Sequence, residues 1–206
     1  MRLRAADRDV HARFVATAAE FAPELEAAIA RVGPLRVPVD AHMPLAERLC
    51  RSIVGQQLSV KAARTIWARL LADAGDAALV DHLLRTPPDT LRACGVSGSK
   101  ARALRGIAER TADGTLDAAR LSRLDHAERS AELTALWGVG QWTVDMLSIF
   151  WFGDDDVWPD GDVVARKTLA RLTSPRRSTV RTAARFAPHR SRLAIYMWRW
   201  RDATPG

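Results

Sequence analysis

The chain has 206 residues, enough for one domain or two small lobes whose core needs no disulfide or metal to fold. Hydrophobic residues make up 48% and charged residues 27%, as in globular proteins, and no stretch reaches the roughly 18 consecutive apolar residues that span a membrane. The formal net charge of +7 favours a polyanionic partner, with nucleic acid as the first candidate, although a high arginine content alone gives the same charge.

Cysteine and histidine usage excludes several classes of metal protein. Cys50 and Cys94 lie far apart in apolar surroundings, so we expect buried, reduced thiols of a cytoplasmic protein. Without a cysteine cluster, a Cys-rich zinc site and a cysteine-ligated iron–sulfur cluster are excluded, and the five histidines lack metal-site spacing. The N-terminal segment has arginines but no apolar core, which argues against a secretory signal.

Helical periodicity dominates the chain in sequence order. Apolar residues spaced three or four apart over 9–30 predict one helix, which Gly33-Pro34 ends. Prolines 34 and 38 predict an extended segment over 35–39. Ser59 is a predicted N-cap. Further helices are predicted over 44–54, 60–73, 76–85, 88–93, 99–112, 125–136, 142–152, 163–172, 178–186 and 190–201, with a short turn over 115–121.

The predicted fold class is all-α, because strand alternation is almost absent. The prolines and glycines punctuate helices and mark no flexible linker, so we expect one unit over 1–206. Within it we predict two lobes, one of about 45–120 and one of about 1–44 plus 121–206.

A turn with two glycines joins the predicted helices 125–136 and 142–152. Gly138 and Gly140 permit a tight turn whose amides point outward, ahead of a helix N-terminus that favours an anion. Thr143 can cap that helix or contact the anion. The same spacing also occurs in ordinary helix–helix turns, where glycine serves only chain reversal.

Three motifs in order carry a family resemblance. The run Leu136-Trp137-Gly138-Val139-Gly140-Gln141-Trp142-Thr143 resembles the helix-hairpin-helix motif of DNA repair proteins. Residues 150–167 resemble the stretch that follows this motif in the helix-hairpin-helix DNA glycosylase superfamily and leads to its catalytic aspartate. Residues 53–63 resemble the signature of the bacterial 3-methyladenine DNA glycosylase II group. The resemblance implies a bilobal helical glycosylase, in a short form without that group's N-terminal β-containing domain.

Asp162 precedes the predicted helix 163–172, where an N-cap role alone would explain it. The resemblance aligns it with the family's catalytic aspartate, which stabilises an oxocarbenium-like sugar and orients or deprotonates water. Asp160 is the nearest competitor, and Asp154–Asp156 are predicted to form a solvated loop.

The residue before Thr143 is Trp142, where strand-cleaving members of the superfamily carry a nucleophilic lysine. The resemblance therefore implies a monofunctional enzyme without lyase activity. An alkylated purine is cationic, so it is already an activated leaving group and stacks on aromatic faces. Trp142 and Trp198 match the positions of pocket aromatics, with core packing as the alternative, and Met146 replaces a pocket tyrosine.

The turn 55–59 resembles the wedge loop that fills the gap left by a flipped nucleotide. Gln57 stands at the wedge position and Leu58 is the alternative; a polar turn without this role is the other interpretation. The predicted DNA contacts are Gly138, Gly140, Thr143, Gln56, Gln57 and Leu58, and the resemblance implies a Na⁺ or K⁺ ion on the carbonyls of Thr134, Leu136 and Val139, with no other cofactor.

The leading hypothesis is a monomeric DNA glycosylase that removes alkylated purines, of the 3-methyladenine and 7-methylguanine type, from damaged double-stranded DNA at the bacterial nucleoid. Within the enzyme class, the alternative lesions are deaminated or etheno purines. Outside it, a non-catalytic helix-hairpin-helix module predicts no role for Asp162, and an unrelated helical interaction protein predicts no preference for damaged DNA. Basic residues that could line the DNA face are Arg51, Lys61, Lys100, Arg102, Arg166 and Lys167.

Overall fold

The computed structural model describes residues 3–204, and this part of the chain contains helices and no strand, which confirms the all-α class. No helix within the described range is long and apolar enough to cross a membrane. The helices are α1 (Ala5–Ala19), α2 (Pro23–Val32), α3 (Leu45–Gly55), α4 (Val60–Ala74), α5 (Leu79–Arg85), α6 (Pro88–Ala93), α7 (Gly98–Ala112), α8 (Ala118–Leu121), α9 (His126–Thr134), α10 (Gln141–Leu147), α11 (Val163–Thr173), α12 (Thr179–Ala184) and α13 (Arg190–Ala203).

The single helix predicted over 9–30 is two helices, so that prediction was wrong. Helix α1 ends at Ala19 and α2 begins at Pro23. Proline suits the first turn of a helix, but its ring disfavours helical dihedrals at the preceding residue, and Ala22 has φ −151° and ψ 84°. Most of the predicted apolar stripe is nevertheless buried across the break (Phe14, Ala18, Leu25 and Ile29), whereas Val10 and Phe21 are only half-buried.

Contacts divide the chain into two compact units: a terminal unit of residues 1–39 with 148–206, and a central unit of residues 40–147. The core of the terminal unit combines aliphatic side chains with an aromatic cluster. Phe14 lies with its ring centroid 4.8 Å from that of Phe186 and 5.6 Å from that of Tyr196. This cluster joins α1 to α13, so the two ends of the chain build one hydrophobic core.

The central unit contains α3 to α10, with a core of aliphatic side chains from α3, α5 and α7. The hydroxyl of Ser59 accepts from the Ala62 amide at 3.2 Å, which confirms the predicted N-cap of α4. Cys50 and Cys94 are buried free thiols, as expected, and burial raises the pKa of Cys50 to about 12.

The boundary between the contact units lies after Leu147, whereas the predicted lobe boundary lies near residue 121. Contacts with earlier residues explain why 121–147 stay with the central unit: Arg120 pairs with Glu132, and Gln56 Nε2 donates to the Gly138 carbonyl at 3.1 Å.

Helices α9 and α10 are also joined to each other. Gln141 Nε2 donates to Ser130 Oγ at 3.1 Å and to Asp145 Oδ1 at 2.8 Å. His126 Nε2 lies 3.2 Å from the same Asp145 oxygen, so one buried carboxylate joins both helices.

The helix predicted over 142–152 changes character along its length. It is α-helical to Leu147 and continues as a wider π turn over Ser148–Phe152. The π turn opens the terminal unit's second segment, which then runs through the acidic loop toward Asp162.

The acidic loop Asp154–Asp156 is not a solvated loop, which corrects the expectation. Asp156 accepts from Arg190 Nε at 2.7 Å and from its Nη2 at 3.0 Å, and Asp155 accepts from Arg192 Nε at 2.9 Å. All of these side chains are partly buried. These hydrogen bonds attach the loop to the first turn of α13. The attachment fixes the path of the segment that leads to Asp162.

Candidate functional site

Asp162 is the N-cap of α11. Its Oδ1 accepts from the Ala165 amide at 2.8 Å and from the Trp198 indole Nε1 at 3.0 Å. The residue is half-buried. A carboxylate held by these two hydrogen bonds keeps a defined position at the positive end of a helix.

Trp198 has a role in the structure that the sequence did not predict, and its place in the base pocket stays a prediction. Its indole N–H is committed to Asp162, and its ring stacks at an angle on Phe150 with centroids 5.7 Å apart. It therefore positions the carboxylate, while its half-buried ring still borders the same site. Nothing in the sequence pairs residues 36 positions apart, because only the packing of α13 brings the indole to the start of α11.

Asp160, the competing carboxylate, forms hydrogen bonds within its own loop and to α12. Its Oδ1 accepts from Trp158 Nε1 at 3.3 Å and from the Thr179 hydroxyl at 3.0 Å. These contacts attach α12 to the segment that leads into Asp162. Of the two aspartates, only Asp162 stands at a helix start.

The glycine hairpin of the central unit is a tight turn between Thr134 and Gln141. Gly138 has φ +84°, and a Cβ there would lie 2.9 Å from the Ala103 Cβ, so a side chain is excluded twice. A Cβ at Gly140 would meet nothing within 4 Å. Packing inside the unit therefore does not require glycine at position 140. The backbone there is open to an approaching partner.

Residues 142–146 of α10 separate into an inner and an outer side. Thr143 is only 2% exposed, so its side chain packs inward, and its contact with DNA stays a prediction. Trp142 is 44% exposed, and Met146 is half-buried one turn later on the same face. The predicted pocket residues of α10 therefore share a face, while the threonine packs inward.

The predicted wedge loop has an unusual backbone. Gln57 has φ +57°, a left-handed conformation that costs a non-glycine residue about 1–2 kcal/mol. Its side chain is exposed, and so is Leu58, at 40%. Strain of this kind is typical of functional positions, and here it turns both predicted wedge side chains outward.

Gln56 and Lys100 hold this loop from inside the unit. Gln56 Nε2 donates to the Gly138 carbonyl at 3.1 Å, so this side chain joins the wedge loop to the hairpin, and its predicted contact with DNA stays a prediction. Lys100 Nζ donates to the carbonyls of Val54 at 2.9 Å and Gln56 at 2.8 Å, at the end of α3. Burial lowers the pKa of Lys100. Lys100 is therefore structural, not part of a DNA-facing surface.

The sequence analysis missed this role of Lys100. The last carbonyls of a helix always need partners, but the sequence does not say which side chain supplies them. Arg102 also has a local partner, since its guanidinium lies 4.0 Å from the ring centroid of Trp137, which is 56% exposed.

The carbonyls assigned to a monovalent cation lie at the end of α9 and in the turn. Thr134 is the last residue of α9, and the Leu136 carbonyl accepts from the Val139 amide at 3.1 Å. Carbonyl oxygens at a helix end keep spare acceptor capacity, so this donor set fits Na⁺ or K⁺. Among the described residues, no group of three or more histidine, cysteine, aspartate or glutamate side chains could hold a metal.

Two known DNA repair proteins are similar to this chain in sequence. The DNA-3-methyladenine glycosylase 1 of Schizosaccharomyces pombe is 35% identical over 164 residues, which are 74% of this chain and 71% of the relative. A probable bifunctional transcriptional activator/DNA repair enzyme AlkA of Mycobacterium tuberculosis is 29% identical over 211 residues, but the chain spans only 41% of its length.

Two solved structures have the same fold. A DNA-3-methyladenine glycosidase of Bacillus halodurans is 28% identical with a TM-score of 0.78, over 92% of this chain and 88% of that chain. The 3-methyladenine DNA glycosylase of Schizosaccharomyces pombe in complex with abasic DNA is 27% identical with a TM-score of 0.76, over 95% and 96%. The model of the HhH-GPD superfamily base excision DNA repair proteins matches residues 50–188, and the chain belongs to this superfamily.

Proposed function

We propose that this protein is a monofunctional DNA glycosylase that releases alkylated purines, of the 3-methyladenine and 7-methylguanine type, from double-stranded DNA in base excision repair. The observation that carries the proposal is the Asp162 carboxylate, fixed at the start of α11 by the Ala165 amide and the Trp198 indole. The relatives and solved structures named for 3-methyladenine support this substrate class.

The proposed chemistry needs one carboxylate. The bond between the sugar C1′ and the alkylated purine breaks, and its electron pair leaves with the base and neutralises the base's positive charge. Asp162 stabilises the oxocarbenium-like sugar and orients the water that adds to C1′. The proton that this water loses passes to the carboxylate or to solvent. No strong general acid is required, because the leaving group is cationic before the bond breaks.

The damaged nucleotide can reach this carboxylate only after it has left the stacked bases of the DNA duplex, so the enzyme must flip it out. In the proposal the exposed ring of Trp142 stacks on the cationic base, with Met146 beside it on α10. Gln57 or Leu58 fills the gap in the duplex. The amides around Gly138 and Gly140 hold a backbone phosphate, and a monovalent cation on the turn carbonyls adds to that anion site.

The substrate class is tested by single-turnover base release from duplexes that each carry one lesion. We expect release of 3-methyladenine and 7-methylguanine, and slower or no release of hypoxanthine and ethenoadenine, because neutral bases lack the charge that activates the leaving group and binds the tryptophan face. A preference for a neutral lesion would overturn the substrate assignment. Tight binding of damaged duplex without release of any base would favour a non-catalytic module.

The absence of lyase activity is a separate expectation. Trp142 offers no amine where a strand-cleaving enzyme needs lysine, so no Schiff base to the sugar should form. Borohydride added during turnover should trap no covalent protein–DNA adduct, while a known glycosylase/lyase run in parallel should. A trapped adduct would contradict the monofunctional mechanism and would call for another nucleophilic amine.

A further inference from the structure

We propose that an arginine cluster on the terminal unit binds phosphates of the DNA duplex that flanks the lesion. The inference rests on the proposed function and adds a second contact surface to it. The cluster lines an open cavity of about 470 Å³ next to Phe21, and it consists of Arg176, Arg177, Arg181 and Arg185.

Two of the four guanidinium groups are held in place. Arg185 and Arg177 lie 4.3 Å and 5.3 Å from the ring centroid of Phe21. Arg185 also pairs with Glu20, and Arg177 donates to the Phe21 carbonyl at 3.3 Å. Stacking and hydrogen bonding therefore fix these two cations at the wall of the cavity, which lowers the entropy lost when an anion binds.

The other two are available to a partner. Arg176 and Arg181 are exposed, and their guanidinium groups have no hydrogen-bond or ion-pair partner within the described range. Four cations and the one paired carboxylate of Glu20 leave the cluster with a local charge of +3. Like charges placed around one concavity repel each other, and a polyanion relieves this repulsion.

The position of the cluster points to DNA as that polyanion. Helix α12 carries Arg181, and its first residue, Thr179, donates to Asp160 at 3.0 Å. Asp160 lies two residues before Asp162, so the cluster borders the segment that presents the proposed catalytic carboxylate. A duplex held with its lesion at Asp162 has further phosphates along its backbone, and guanidinium groups match phosphates in bidentate geometry.

The salt dependence of DNA binding tests this surface. Binding of undamaged duplex of about 30 base pairs, three helical turns, is measured against salt concentration for the wild type and for Arg176→Ala/Arg181→Ala. The slope of log K against log salt is negative, and each lost phosphate contact reduces its magnitude by about 0.9, so we expect the magnitude to decrease by about 2 for the pair. Near 0.1 M salt the affinity should fall roughly tenfold per lost contact.

Two control variants separate this effect from total charge and from packing. Arg8→Ala/Arg31→Ala removes the same charge from exposed positions at the far ends of α1 and α2 from Phe21, and it should leave the slope near the wild-type value. Arg176→Lys/Arg181→Lys keeps the charge and should restore most of the slope. An unchanged slope in the alanine pair, or an equal decrease in the Arg8/Arg31 control, would overturn the proposal and assign the cluster to an arginine-rich composition.

Base release gives the independent readout. At saturating protein, the Arg176→Ala/Arg181→Ala variant should release 3-methyladenine at the wild-type rate, because the cluster contacts flanking DNA only. A slower rate at saturation would place these arginines at the lesion and overturn the flanking role. Since binding is measured on undamaged duplex, the slopes decide the cluster's role even if the wild type releases no base.

Discussion

Asp162→Asn should slow single-turnover release of 3-methyladenine by about 10²- to 10³-fold, because the change removes the charge that stabilises the oxocarbenium-like sugar. Asparagine is as good an N-cap as aspartate, and its Oδ1 can still accept from the Ala165 amide and the Trp198 indole. The thermal midpoint and the affinity for abasic duplex should therefore stay near their wild-type values. The variant thus isolates the charge from the structural role.

The matched control is Asp160→Asn, the same isosteric change two residues earlier in the same loop. Asp160 accepts hydrogen bonds from Trp158 and Thr179, which asparagine preserves through its Oδ1, so base release should stay within a few-fold of the wild type. Trp198→Phe keeps the ring against Phe150 but removes the indole N–H, and its rate should fall between those of the two asparagine variants. Equal rates for Asp162→Asn and the wild type would remove Asp162 from the catalytic role.

Lys100→Met should have the second large effect, on opening of the duplex. The ammonium group satisfies the carbonyls of Val54 and Gln56 just before the strained Gln57, and hydrogen bonds from a charged group contribute about 1.5–3 kcal/mol. Without these hydrogen bonds from Lys100, Gln57 should leave its left-handed conformation. The rate of base release should then fall roughly tenfold or more, as the loss of about 1.5–3 kcal/mol implies. Fluorescence of 2-aminopurine next to the lesion should report less flipping.

A double-mutant cycle separates this positioning role from a general loss of stability. If Lys100 acts through the wedge, Lys100→Met combined with Gln57→Ala should be no slower than the slower single variant. If the rate reductions of the two single variants instead multiply in the double variant, Lys100 acts by another route. Arg64→Met removes one positive charge from an exposed site on α4 and should leave flipping unchanged, which controls for electrostatic attraction to DNA.

Much of the site was predictable because its parts are local in sequence. A helix N-cap needs only a carboxylate before an apolar run, and a tight turn needs only glycines between two periodic segments, so Asp162 and Gly138 could be singled out from a few neighbours each. The burial of Thr143 could not be predicted, because a seven-residue helix has too few turns to show which face is buried. The hydrogen bond of Gln56 could not be predicted either, because the sequence of a polar turn does not reveal a carbonyl 82 positions away.

By itself the sequence determined the helical class, the order of the elements, the superfamily and the carboxylate on which the proposed chemistry depends. The helical class and the order of the elements follow from periodicity and capping, which act within a few turns of chain, whereas the superfamily and the role of Asp162 came from the resemblance of three motifs to a known family. Only the tertiary structure decided that Trp198 holds Asp162, that Lys100 holds the loop of Gln57, and that the Asp154–Asp156 loop is docked on α13. Each of these contacts joins residues 34 to 44 positions apart, and the meeting of such distant residues is set by helix packing, not by local preference.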